Sequence, residues 1–135
     1  MALALGDIAK LLGTGPYVAG VAGANVPVIF LAPLVFLVSG FIAFSVGSSW
    51  GTFAIMIPIA MSIAATLDLS TSLMLGAALS GGIFGAHASP ISDTTVVASM
   101  AAGTDHIEHV RTQLPYALIA GTISVIGFII LSMIP

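Results

Sequence analysis

The chain has 135 residues, of which 59% are hydrophobic and only 5% are charged, against about 25% charged residues in ordinary soluble proteins. Two basic and five acidic side chains give a net charge of −3, and so few charges cannot cover a water-facing surface. This composition excludes a disordered chain, a nucleic-acid partner and an ordinary soluble enzyme. It predicts an all-α integral membrane protein that lies in a lipid bilayer.

Residues 1–25 are predicted to form an interfacial helix and a connecting loop. Two charged residues, Asp7 and Lys10, lie among apolar residues near the start of the chain, as on a short helix at the membrane surface. Glycine and proline residues at 13–16 are expected to end that helix.

Residues 26–67 are predicted to form a re-entrant hairpin. Apolar stretches cover 26–46 and 53–67, and small or polar residues other than one tryptophan separate them at 47–52. A helix over the second stretch would be about 22 Å long, which is short for a hydrocarbon core of about 30 Å. We therefore place the tip of the hairpin at 47–52.

Residues 68–103 are predicted to form a discontinuous transmembrane helix. Pro90 lacks an amide hydrogen and disfavours helical backbone at the residue before it, so the helix is expected to break there into two half-helices. Small residues recur at spacing four before the break, at Ala77, Gly81 and Gly85. This pattern lets membrane helices approach closely, so the first half-helix should pack tightly against another helix.

Residues 104–113 are predicted to form a solvated polar loop, and residues 114–135 a terminal transmembrane helix without a charge. The sequence His106-Ile107-Glu108-His109 contains potential metal ligands. Its spacing is not that of the known zinc motifs, so we interpret it as part of the solvated loop.

The polar interruptions at 47–52 and 85–95 are the candidate functional region. Polar backbone inside a bilayer is tolerated only where protein or a water-filled cavity shields it. Secondary transporters build ion and substrate sites from paired discontinuous helices near the middle of the membrane. The alternative is that glycine and proline only kink packed helices.

Asp93 is the one acidic residue within an otherwise membrane-like segment, and such a residue is a functional candidate. We predict that it binds a cation or a proton, with Na⁺ as the metal ion and Ser92 as a second ligand. Hydroxyl oxygens from Ser89, Ser92 and Thr94 are ligands of the type that hard cations prefer. The alternative is that Asp93 or Ser92 only caps the second half-helix.

Two further residues have both a functional and a structural interpretation. His87 could carry protons, although a single histidine in a packed loop is more often only hydrogen-bonded. Ser49 lies in Gly47-Ser48-Ser49-Trp50-Gly51, which matches the G-x-S-x-G nucleophile motif in letters alone. That motif needs a soluble α/β sheet, so we predict that the protein is not an enzyme.

Three segments resemble the signature sequences of the NhaC family of sodium/proton antiporters: GSSWGTFAIMIPIA at 47–60, GAHASPISDTTVVAS at 85–99 and HIEHVRTQLPYAL at 106–118. The resemblance implies a multi-pass carrier of the bacterial cytoplasmic (inner) membrane with two inverted repeats, each with a re-entrant hairpin and a broken helix. It implies exchange of Na⁺ for H⁺ without a cofactor. Relatives that exchange organic acids or carry amino acids make those substrates the alternative.

For such an exchange we predict one site with alternating access. Na⁺ and H⁺ would compete at Asp93, while Ser48, Ser49 and Thr52 at the hairpin tip would close the site from the other side. The family pattern has aspartate where this chain has Ala86. Family members are several times longer, so we expect this chain to be one half of an inverted-repeat fold. It would need a first-repeat half or a second copy, or else be a transport-inactive accessory subunit.

Overall fold

A computed structural model of the chain describes residues 2–134, and every regular element within that range is helical. Seven α-helices follow one another, with one 3₁₀ turn at Val28–Phe30 before the third. Their bounds are Ala2–Leu11 (α1), Thr14–Asn25 (α2), Leu31–Val46 (α3), Ser49–Thr66 (α4), Thr71–Ala88 (α5), Asp93–Ala102 (α6) and His106–Met133 (α7).

Helix α5 lies at the centre, because its small residues let α3 pack against it at close range. Gly81 faces the carbonyl of Phe36, and Gly85 faces the carbonyl of Gly40. A β-carbon at either glycine would collide with the backbone of α3. Ala77, one turn earlier, is fully buried. The predicted close packing of this small-residue stripe is therefore confirmed, and α3 is the partner helix.

Aromatic rings and the remaining helices complete the core around this contact. The ring of Phe36 on α3 stacks on Phe84 of α5 at 5.5 Å and meets Phe128 of α7 at 5.6 Å. Helix α4 packs against α5 on another side, and α1 and α2 pack against α4. The α3–α5 contact thus fixes the position of the segments that enter and leave these helices.

Three helical segments of the described chain are long and apolar enough to cross a membrane: Val28–Val46, Ser49–Thr66 and His106–Met133. Helix α7 is the most exposed of them, since Gly121 is its one buried residue. Apart from Val125 and Phe128, which pack against the core, most of its large apolar side chains are exposed, as expected of a surface that lipid or another protein segment covers. These observations support a membrane protein, whereas the re-entrant course of α3 and α4 stays a prediction.

The structure differs from the sequence-based expectation at three helix boundaries. Residues 14–25 form helix α2 instead of the expected connecting loop. Helix α4 begins at Ser49, so most of the expected tip at 47–52 is helical. Helix α7 begins at His106, so most of the expected loop at 104–113 is helical as well.

Side-chain caps explain two of these differences. Ser48 precedes α4 and accepts a hydrogen bond from the amide of Gly51 at 3.4 Å. Asp105 precedes α7 and accepts from the amides of Ile107 and Glu108 at 3.0 and 3.1 Å. Such caps satisfy amides that have no partner within the helix.

Candidate functional site

The break between α5 and α6 covers residues 89–92, where the sequence predicted it around Pro90. Ser89 and Ser92 are fully buried within it. The Thr95 hydroxyl lies 3.0 Å from the Ser89 carbonyl and 2.9 Å from the Ser92 carbonyl. The Ser92 carbonyl also accepts from the amide of Val96 at 3.0 Å, so the Thr95 hydroxyl, with its one hydrogen, is the partner that the Ser89 carbonyl gains at the break.

The break contacts the turn between α3 and α4, so the two predicted polar interruptions meet. The Ser89 hydroxyl donates to the carbonyl of Phe44 at 2.7 Å. Gly47 has a φ of 74°, and a β-carbon there would lie 2.7 Å from the carbonyl oxygen of Ile91. Glycine is suited to this position both by its positive φ and by the close approach.

Asp93 is the first residue of α6 and is exposed in this chain. One of its carboxylate oxygens accepts from the amide of Thr94 at 2.8 Å. Ser92 is the residue that precedes the helix, but its hydroxyl pairs with the Thr94 hydroxyl at 2.8 Å instead of capping an amide. The structure therefore places Asp93, Ser92 and Thr94 together at one helix start.

The residues predicted to close the site lie at the start of α4. Thr52 is fully buried, and its hydroxyl donates to the carbonyl of Ser48 at 3.0 Å. Ser48 and Ser49 are half-buried. The Gly47 contact brings this turn to the break, so the two groups of residues belong to one corner of the fold.

His87 lies in the last turn of α5 and is exposed. Its Nδ1 donates to the carbonyl of Ile83 at 2.9 Å, since a carbonyl oxygen can only accept. The neighbouring Ala86 is buried, so the position where the family pattern has aspartate lies inside the packed end of α5.

A cavity of about 400 Å³ opens between α5, α6 and α7 next to this corner. Most of its wall surface is apolar, although all of its lining residues except Ala98 have a polar group in the side chain: His87, Thr94, Thr95, His109, Thr112, Gln113 and Tyr116. The amide oxygen of Gln113 is buried and has no hydrogen-bond partner. That oxygen has no surface open to the cavity, so the histidines, hydroxyls and Tyr116 are the polar groups that a solute could reach.

His106 belongs to the same corner, although the sequence indicated a solvated loop for it. Its Nε2 lies 2.6 Å from the carbonyl oxygen of Pro90, and its Nδ1 lies 3.2 Å from the hydroxyl of Ser99. Local sequence carries no signal for a contact between residues 16 positions apart. Within the described residues no three histidine or acidic side chains are grouped for a metal ion.

The model of a family described as the Na⁺/H⁺ antiporter family matches residues 1–133. The chain belongs to the Na⁺/H⁺ antiporter family. This membership confirms the predicted resemblance and points to a transporter rather than an enzyme. No solved structure matches the chain.

Several curated proteins are similar to this antiporter-family chain. An uncharacterized protein of Haemophilus influenzae is 43% identical over 127 residues, which cover 91% of this chain and 24% of that protein. The arginine/ornithine antiporter ArcD of Halobacterium salinarum is 36% identical, over 79% of this chain and 22% of its own length.

The malate-2H⁺/Na⁺-lactate antiporter of Bacillus subtilis is 34% identical, over 93% of this chain and 29% of its own length. The chain thus spans roughly a quarter of the length of these relatives. Antiport is the activity that the named relatives share, and their substrates differ.

Proposed function

We propose that this chain forms the C-terminal part of a secondary active transporter that exchanges Na⁺ for H⁺ across the bacterial cytoplasmic membrane. The observation that carries the proposal is the contact between the α3–α4 turn and the break at 89–92. Secondary transporters hold their ions where such interrupted segments meet within the membrane. Membership in the Na⁺/H⁺ antiporter family supports the choice of ions.

Asp93 is the group at which the two ions compete in this proposal. A carboxylate can hold either a proton or a cation, and Asp93 lies at the helix start next to the break. The hydroxyls of Ser89, Ser92 and Thr94 supply neutral oxygens, each of which keeps a lone pair beyond its hydrogen bonds. Oxygens of this kind fit a hard cation such as Na⁺.

Alternating access then needs a second wall around the site. Ser48, Ser49 and Thr52 close the corner from the α4 side in this proposal, and the Gly47–Ile91 approach supports it. His87 passes protons between Asp93 and water, because it lines the cavity that Thr94 also lines. The remaining wall comes from a first-repeat half on another segment or from a second copy of this chain, both within the lipid bilayer.

Exchange of an organic or amino acid is the second candidate function, and the cavity between α5, α6 and α7 favours it. His109 and the hydroxyl of Tyr116 line this cavity, and both can donate to a substrate carboxylate. The names of two relatives, an arginine/ornithine antiporter and a malate/lactate antiporter, agree with such substrates.

We expect the purified chain alone to give no Na⁺-driven proton movement in lipid vesicles. A site between repeats needs both repeats, and the face of α7 is uncovered in the single chain. The measurement uses an imposed Na⁺ gradient and an internal pH dye, with the chain alone and together with a first-half segment. Added malate, lactate or arginine in parallel vesicles separates the two candidate functions.

Proton flux in the combined vesicles that depends on Na⁺ alone supports Na⁺/H⁺ exchange. Flux that appears only with an added acid supports the second candidate. Proton movement by the chain alone, lost in Asp93→Asn, would contradict the need for a first-repeat half and would favour a homo-oligomer. Absence of flux from every combination would favour a transport-inactive subunit.

A further inference from the structure

His106 joins the break to the start of α7 and to α6. Its Nε2 contacts the carbonyl oxygen of Pro90 at 2.6 Å, and its Nδ1 contacts the hydroxyl of Ser99 at 3.2 Å. Ser99 is buried, and its hydroxyl also lies 2.9 Å from the carbonyl of Val96. The imidazole of His106 and the hydroxyl of Ser99 thus share three polar contacts: one with Pro90, one with each other and one with Val96.

The number of available hydrogens limits which of these contacts can form together. The Pro90 carbonyl only accepts, so Nε2 must carry a hydrogen, and a neutral imidazole has no second one for Nδ1. Neutral His106 therefore needs the single hydrogen of the Ser99 hydroxyl for Nδ1. The Ser99 hydroxyl then cannot donate to the carbonyl of Val96, so only two of the three contacts are hydrogen bonds.

Protonation removes this conflict. An imidazolium donates from both nitrogens, so Ser99 can accept from Nδ1 and give its own hydrogen to Val96. All three contacts are then hydrogen bonds, and two of them have a charged donor, which makes them roughly twice as strong as neutral ones. We infer that His106 is a proton-dependent tie, which holds the break and α6 against the start of α7 when protonated and loosens them when neutral.

The other titratable and charged side chains on the elements that meet here are His87 on α5, Asp93 on α6, Asp105 just before α7, and Glu108, His109, Arg111 and Tyr116 on α7. Helix α3 contributes none. Asp93 and Asp105 accept from backbone amides, and His87 donates to the carbonyl of Ile83. The ring nitrogens of His106 instead contact Pro90 and Ser99, so its protonation acts directly on the break.

The inference concerns the mobility of the break and does not depend on which ion or solute is transported. Ser89 and Ser92 are buried in the break, and α6 starts at its end. A tie between the break and α7 therefore sets how readily this corner opens. In a transporter of either proposed kind, it would make opening of the site depend on pH.

The neutral tautomer of His106 tests the inference on the unaltered chain. Histidine-selective ¹⁵N labelling in detergent micelles gives a pair of ring-nitrogen signals for each of the three histidines, and His87→Gln and His109→Gln identify the pairs that do not belong to His106. We expect neutral His106 to carry its hydrogen on Nε2 and to gain one on Nδ1 as the pH falls. A neutral form with the hydrogen on Nδ1 would overturn the inference, because it cannot donate to Pro90.

Thiol labelling measures the opening itself. The chain has no cysteine, so Ser92→Cys places one thiol at a fully buried position that a reagent reaches when the break opens. Glutamine at position 106 offers a donor and an acceptor, as neutral imidazole does, but it cannot take up a proton. The parent and the His106→Gln variant are compared at the same pH, so the ionisation of the thiol affects both labelling rates equally.

At about pH 5.5, where histidine side chains are largely protonated, we expect His106→Gln to label about tenfold faster than the parent, the effect of one hydrogen bond to a charged group. At about pH 8 the two rates should agree. His109→Gln is the matched control and should follow the parent at both pH values. If the ratio of the labelling rates of His106→Gln and the parent does not change with pH, the proton-dependent tie is overturned. If the variant does not fold, the tautomer measurement on the unaltered chain decides.

Discussion

Gly85→Ala is expected to lower the free energy of unfolding by about 3 kcal/mol, the upper range for overpacking in a packed core. The added β-carbon would meet the carbonyl of Gly40 and lie 2.9 Å from the β-carbon of Ala43. Neither neighbour is the end of a flexible side chain, so α3 and α5 must move apart. Thermal unfolding of the purified chain in detergent, followed by circular dichroism, measures the loss.

Gly76→Ala is the matched control on the same helix. A β-carbon at Gly76 meets nothing within 4 Å, and alanine favours a helix over glycine by about 1 kcal/mol. We therefore expect this substitution to leave stability unchanged or to raise it. Equal losses in both variants would show that α5 tolerates no alanine for reasons of its own, and the close α3–α5 contact would not be the cause.

The stripe at Ala77, Gly81 and Gly85 and the break at Pro90 could be predicted because their causes are local. A proline removes an amide hydrogen wherever it occurs, and small residues at spacing four lie on one helix face. The partner of the stripe could not be predicted in the same way. It depends on α3, whose carbonyls at Phe36 and Gly40 lie opposite only in the folded chain.

The sequence contains a capping pattern at the start of α7, but the polar composition of the same stretch led to the prediction of a loop. Asp105 followed three residues later by Glu108 resembles the capping pattern at helix starts, and Asp105 does accept from the amides of Ile107 and Glu108. The charges and histidines of this stretch instead indicated a solvated loop. Helix α7 begins before the apolar stretch, so its first turns are polar and the rest of the helix is apolar.

The sequence indicated candidate residues for the site, and it carried no signal for the contacts that join them. Asp93, Ser89 and Ser92 stand out because polar groups are rare in this chain. The role of His106 depends on the carbonyl of Pro90, and the meeting of Gly47 with Ile91 depends on the α3–α5 contact. Both are consequences of tertiary packing, which no local pattern contains.

Asp93→Asn in the complete assembly is expected to abolish Na⁺-dependent proton flux while the protein stays folded. Asparagine retains an oxygen that can accept from the amide of Thr94, which Asp93 now does at 2.8 Å. The lost charge at the start of α6 costs about 0.3–1 kcal/mol of helix stability, too little to unfold the protein. An amide cannot take up and release the proton that balances the cation, so exchange should stop.

Asp105→Asn is the matched control, because Asp105 also lies at a helix start and accepts from backbone amides, but outside the proposed site. We expect this variant to retain flux and Asp93→Glu to retain part of it, with all proteins compared at equal abundance in vesicles. Full flux in Asp93→Asn would leave Asp93 with a structural role at the start of α6. The ion would then have to be held by the hydroxyls and carbonyls of the break, or by a site in the first-repeat half.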